Sequence, residues 1–110
     1  IVQGLGGTLL EHFVYDADGQ LLTGTFADYL MPLASDFPEI RVHALEACPS
    51  PNNPLGAKGA GEGGIIPVGG LLANAVADAL GGANGAPHVL PLDPDTVWRL
   101  AQEARQGERT

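Results

Sequence analysis

The chain has 110 residues, 16 of them glycine and 9 proline, with a net charge of −8 and one cysteine, Cys48. An acidic surface repels phosphate backbones, so nucleic acid is not an expected partner. A lone cysteine excludes an internal disulfide and any cysteine-built metal cluster, and no apolar run reaches the roughly 18–20 residues of a membrane span. A hydrophobic share of 45% suffices for the core of one small domain, and a charged share of 16% argues against a long disordered tail. No basic segment followed by an apolar one opens the chain, so no signal peptide is expected in it. The first residues fall mid-pattern, in an apolar glycine-rich run, which reads as a piece of a longer polypeptide.

Residues 1–14 place Val2, Leu5, Leu9, Leu10 and Phe13 at helical spacing. Gly4, Gly6 and Gly7 each weaken such a helix by about 1 kcal/mol relative to Ala, so close backbone approach by a neighbour is expected there. Tyr15 to Gln20 form a turn around Asp18-Gly19, a hairpin signal between apolar runs. Residues 21–26 read as a strand interrupted by Gly24, and residues 40–47 as a second strand. Phe13 and Trp98 read as core residues, and Cys48 as a buried small residue or a bystander.

Residues 48–64 hold three prolines early and five glycines late, which points to a long loop. A loop of that length inside a compact unit is functional or disordered, and its low charge speaks against disorder. Residues 65–80 are almost all apolar. Pro67 fits the first helical turn and Gly81-Gly82 a helix end, which predicts a buried helix inside a larger body. A connector over 83–92 carries a candidate short strand at Val89-Leu90. Asp93-Pro94-Asp95 then opens a last helix, with Asp93 as N-cap, Pro94 at the first position and Asp95 favourable to the helix dipole. Residues 106–110 read as a polar tail. The three histidines, His12, His43 and His88, lack metal-ligand spacing and read as surface or turn residues.

Gly59-Ala60-Gly61-Glu62-Gly63-Gly64 matches G-x-G-x-x-G letter for letter. The dinucleotide-binding form of that motif needs a strand directly before it, and Pro49, Pro51 and Pro54 stand there instead. A P-loop fails as well, since no Gly-Lys-Ser/Thr triplet follows. Composition alone favours Glu62 as a solvated loop carboxylate near a helix N-terminus, contributing up to about 1 kcal/mol. It leaves open a non-enzymatic, glycine-rich interaction or scaffold module.

The order of motifs weighs against that plainer reading. Val2-Gln3-Gly4-Leu5-Gly6 with Glu11, the hairpin from Tyr15-Asp16 to Asp28-Tyr29, Pro49-Ser50-Pro51 with Asn53-Pro54-Leu55-Gly56, Lys58-Gly59-Ala60-Gly61-Glu62, and Asn74-Ala75-Val76 with Asp78-Ala79-Leu80 follow one another along the chain. In this order they resemble the C-terminal end of the molybdopterin-binding large subunit of the xanthine dehydrogenase, aldehyde oxidase and carbon monoxide dehydrogenase family. The bacterial carbon-monoxide-dehydrogenase-like members look nearest.

The resemblance implies an α+β fold, residues 1–110 being part of a larger molybdopterin-binding catalytic domain. Two to three helices, short strands and a long glycine-rich active-site loop are expected in it. It implies a molybdenum hydroxylase that oxidises a small carbonyl, carbon monoxide or an N-heterocycle with water as oxygen source, although this chain by itself is expected to be inactive. Glu62 matches the family's general base, and Gln3, Gly59, Ala60 and Gly61 match cofactor-binding positions, with no protein ligand to the metal in this stretch. The implied cofactor is a molybdenum–pterin group, in its cytosine dinucleotide form in bacteria. The implied partners are the rest of the large subunit, subunits or domains with 2Fe–2S clusters and FAD, and a small-molecule substrate. A cytoplasmic location follows from the same resemblance, with a periplasmic one open to some relatives.

Overall fold

The computed structural model describes residues 1–82 and 86–107, and its regular elements are three helices: α1 (Val2–Leu9), α2 (Val68–Ala79) and α3 (Pro94–Gly107). The apolar spacing that predicts a helix as far as Val14 is used only to Leu9. The backbone N–H groups of Leu10 and Glu11 both donate to the carbonyl of Gly6, at 2.9 Å each. One carbonyl taking two successive donors breaks the helical ladder.

α3 begins as its sequence dictates. Asp93 Oδ1 accepts the Thr96 N–H at 2.8 Å, and Arg99 pairs with Asp95 one turn along at 3.1 Å. Its end modifies the expectation of a tail from 106, because Gln106 and Gly107 continue the helix and residues 108–110 lie outside the described residues. α2 ends in a two-glycine stop. The Gly82 N–H bonds Ala77 O at 2.8 Å and the Gly81 N–H bonds Asp78 O at 3.2 Å, with both glycines at positive φ (88° and 96°). These are the paired reverse bonds of a Schellman motif. The start of α2 lies later than residue 65, because a run of turns occupies 61–67 and Pro67 serves as N-cap.

The expected α+β character is not present: among the described residues the pairing of extended chain comes down to one antiparallel bridge, Tyr15 to Leu21. The turn between those residues forms as predicted. Gly19 takes φ 82°, and Asp16 Oδ1 accepts the N–H groups of Asp18 and Gln20. Thr23 extends the contact through its side chain, its hydroxyl accepting the Val14 N–H at 3.0 Å and donating to His12 O at 2.8 Å, but no further bridge forms between the arms among the described residues. Residues 40–47 run irregularly and Val89-Leu90 lie in a bend, so neither predicted strand is formed. A strand needs a neighbour for its N–H and C=O groups, and none of the described residues offers one there. Residues 83–85, part of the connector, lie outside the described residues.

The core is small. Leu92 (2% exposed), Val68 (4%), Ala104 and Thr8 are buried, along with Gly4 and Gly6. The Leu92 N–H donates to Thr8 O at 2.6 Å, tying the entry of α3 to the end of α1. Elsewhere many large apolar side chains are exposed. α2 buries Val68 alone while Leu71 is 65% exposed, so the all-round burial expected of that helix does not occur within this chain. Phe13 and Trp98, expected in the core, are exposed too. The radius of gyration is 18.4 Å, against about 13 Å for a compact domain of this length. No helix among the described residues is long and apolar enough to cross a membrane.

Candidate active site

α1 lies directly against the turn that leads into α2, and this contact joins the two ends of the candidate site. A Cβ placed on Gly4 would sit 2.8 Å from Cβ of Val68 and 3.2 Å from Cγ1 of Ile65, while one on Gly64 would come within 3.4 Å of Ile1. Gln3 therefore stands on the helix that packs against the segment immediately following Glu62. Gly63, Ile65 and Val68 donate in turn to the carbonyls of Ala60, Glu62 and Ile65 at 3.0–3.2 Å, so the residues around Glu62 form a sequence of linked turns. Sequence spacing alone could not show that Gln3 and Glu62, 59 positions apart, belong to touching elements.

The loop before this turn is closed on itself. The Asn53 side chain donates to Ala57 O and accepts the Ala57 N–H, both at 2.9 Å, while Ser50 donates to Gly56 O. Gly56 takes φ 65°, and a Cβ there would meet Cβ of Pro49 at 2.7 Å.

After Ala57 the character changes. No hydrogen bond among the described residues engages the backbone N–H groups of residues 58–62. A Cβ on Gly59 or Gly61 would meet nothing within 4 Å, and neither glycine needs a positive φ. Their value is thus open space on the outer side of the chain, and the left-handed backbone that glycine permits is not used here. Gln3, Lys58, Gly59, Ala60, Gly61 and Glu62 are all exposed, and the Gln3 and Glu62 side chains have no hydrogen-bond partner among the described residues.

Other polar residues settle into structural duties. His12 Nδ1 stands 3.6 Å from Asp93 Oδ2, and the His12 carbonyl accepts the Thr23 hydroxyl at 2.8 Å. The backbone and side-chain contacts of Thr96, with a smaller contribution from His12, hold the Asp93 carboxyl below the usual carboxylate range against partial burial. Desolvation, and then the Glu11 carboxylate, push the Tyr29 phenol upward. The Tyr29 ring stacks obliquely on Phe13 with centroids 4.8 Å apart. Phe13, Phe26, Tyr29 and Leu21 line a cavity of about 510 Å³ that neither Gln3 nor Glu62 touches. Cys48 is exposed, contrary to the buried alternative.

A profile of the molybdopterin cofactor-binding domain matches residues 1–38, which include α1 and the hairpin. The chain is 44% identical over 98% of its length to the 6-hydroxypseudooxynicotine dehydrogenase complex subunit gamma of Paenarthrobacter nicotinovorans. The chain belongs to the molybdopterin-binding subunits of the xanthine dehydrogenase and carbon monoxide dehydrogenase family. It is also 34% identical over 81% of its length to the carbon monoxide dehydrogenase large chain of Afipia carboxidovorans, a lower figure than for the gamma subunit. The crystal structure of quinoline 2-oxidoreductase from Pseudomonas putida 86 superposes with a TM-score of 0.82 over 93% of this chain, at 42% identity. The chain spans 14%, 11% and 13% of the lengths of these three proteins, respectively.

What the sequence missed is the supporting contact. Val68 and Ile65 carry no chemical signal of their own, but they are the side chains against which α1 seats. The cluster of glycines in residues 4–7 was the available clue, since it announces close approach without saying to what.

Proposed function

We propose that this segment forms one wall of the cofactor site in a molybdenum hydroxylase-type oxidoreductase, with Glu62 as general base and Gln3, Gly59, Ala60 and Gly61 as cofactor-binding residues. The observation that carries the reading is the unengaged stretch 58–62, whose open backbone adjoins the turn against which the Gln3 helix packs. The residues fit a large, polar group. Gly59 and Gly61 leave room for it, consecutive N–H groups can donate to its oxygens, and the Gln3 amide can both donate and accept.

When bound, the molybdenum–pterin group supplies the two-electron oxidation through which an oxygen from water enters an electron-poor carbon. Glu62 takes up the proton that this step releases, at a carboxylate oxygen with no competing partner within the described chain. Gln3, on the helix packed against the segment after Glu62, would hold polar atoms of the group through its amide. The identities with the 6-hydroxypseudooxynicotine and quinoline enzymes favour an N-heterocyclic substrate over carbon monoxide or an aldehyde. On this reading 2Fe–2S and FAD partners would take up the electrons, the cofactor would be in its cytosine dinucleotide form, and the assembly would be cytoplasmic.

Glu62→Gln in the complete, loaded enzyme tests the reading. The amide keeps size and one acceptor but takes no proton at neutral pH. General-base catalysis contributes about 10²–10⁴-fold, so kcat should fall by at least the lower figure with molybdenum content unchanged. Near-full activity would show that Glu62 is not the base.

A further inference from the structure

We infer that Gly4 is a positioning residue for the Gln3–Glu62 pair: by lacking a side chain it lets α1 seat on Val68 and Ile65, and this seat sets how the Gln3 helix stands against the Glu62 turn. The inference rests on the reading of Gln3 and Glu62 given above. Gly4 is buried and directly follows Gln3. On the other side of the contact, Val68 is buried, its N–H bonds Ile65 O at 3.1 Å, and the Ile65 N–H bonds Glu62 O at 3.0 Å. A displacement at Gly4 therefore passes through two side chains and two hydrogen bonds to the backbone of Glu62.

The approach is close enough to have no slack. Any side chain at position 4 places its Cβ 2.8 Å from both Cβ and Cγ2 of Val68. Real Cβ atoms do not come so near, and a packed contact answers such a conflict with off-rotamer side chains and backbone shifts at the point of collision. Because Gln3 directly precedes Gly4 in the first turn of α1, a backbone shift at position 4 carries Gln3 with it. Misplacement of a reacting group by about 1 Å can cost on the order of 10²-fold in rate.

Gly6 supplies the matched control. It is buried on the same helix, and a Cβ there would also meet its neighbour at 2.8 Å, but that neighbour is the Pro32 ring, in an irregular segment that can give way without moving the Glu62 turn. A merely structural glycine would behave alike at either position.

The experiment compares Gly4→Ala, Gly6→Ala and the exchange Gly4→Ala/Val68→Gly in the complete enzyme. It reads kcat per bound molybdenum, retention of the pterin group through gel filtration, and the melting temperature. Gly4→Ala should lose about tenfold or more in kcat per bound molybdenum and retain the cofactor less well. Gly6→Ala should lose melting temperature while keeping kcat per bound molybdenum within about twofold. The exchange moves the Cβ from one side of the contact to the other and should restore kcat and retention to within about threefold. Should Gly4→Ala fail to accumulate, Val68→Ala, which loosens the seat from the opposite side, should lower cofactor retention in the same direction. Equal kcat losses for Gly4→Ala and Gly6→Ala, an exchange that restores melting but not kcat, or full retention in Val68→Ala would each overturn the inference. Loss of turnover in Glu62→Gln alongside any of these would leave the general base standing and remove only the positioning role.

Discussion

Two glycine-rich stretches of this chain resemble each other in composition and differ in what surrounds them. Around Gly4 and Gly6, an added Cβ would collide at 2.8 Å with Val68 or Pro32, whereas at Gly59 and Gly61 it would meet nothing within 4 Å. The first stretch spends its missing side chains on contact inside the chain. The second holds its space open, with five successive N–H groups, residues 58–62, left without partners among the described residues. Glycine is thus informative only with its neighbours in view: it marks a completed contact in α1 and an available surface before Glu62.

That contrast can be broken most forcefully at Gly6. Gly6→Val drives a branched side chain into the Pro32 ring, and overfilling a packed site costs about 1–3 kcal/mol. The upper part of that range is expected, read as the opening free energy of the α1 amides by hydrogen exchange in the complete subunit. An unchanged exchange pattern would mean that α1 is not seated as described.

A middle-sized effect belongs to Asp93, whose cap fastens α3 beside the Leu92–Thr8 bond. Asp93→Ala should destabilise α3 by about 1 kcal/mol, the usual worth of an N-cap. The native carboxyl is held below its ordinary value, so its contribution is present above the unfolded-state value and fades as pH falls through the lowered folded one. Acidification below about pH 4 should therefore narrow the gap between native and Asp93→Ala protein in exchange of the α3 amides. A gap that widens on acidification would contradict the assignment.

The smallest stability effect sharpens the other side. Gly61→Ala adds a methyl group to open space and should change local stability by no more than about 0.5 kcal/mol, while Gly61→Val should reduce molybdenum per subunit in the loaded enzyme. A large stability loss in the alanine variant, with cofactor content intact, would place Gly61 in the same class as Gly6.

Short-range signals were legible in the sequence. Asp93-Pro94 starts α3, Gly81-Gly82 stops α2, and Asp18-Gly19 turns the hairpin, because a cap, a left-handed glycine or an Asx bond acts within a few residues. The strands over 21–26 and 40–47 were misread because their β-rich composition describes a preference that only a partner strand can realise. Phe13, Trp98 and the outer faces of α2 were misread similarly: apolarity says that a side chain is better covered, and the described chain does not supply the cover. For the site, the motif order pointed to Glu62 and Gln3 as candidates, but the seat between their elements needed coordinates.

The Asn53 clasp bears on the speed with which the site can be readied. Its amide occupies both the N–H and the C=O of Ala57, much as a neighbouring strand would, and so freezes the proline-rich chain up to that residue. Fixing a backbone residue costs about 1–2 kcal/mol. With the clasp on one side and the linked turns from Ala60 on the other, only a few residues around Lys58 and Gly59 are still to be ordered by an incoming ligand. Much of the ordering of residues 50–57 is thus met during folding, and under the proposed role of Glu62 a cofactor arriving there meets a short span to tighten instead of a long loop to tame.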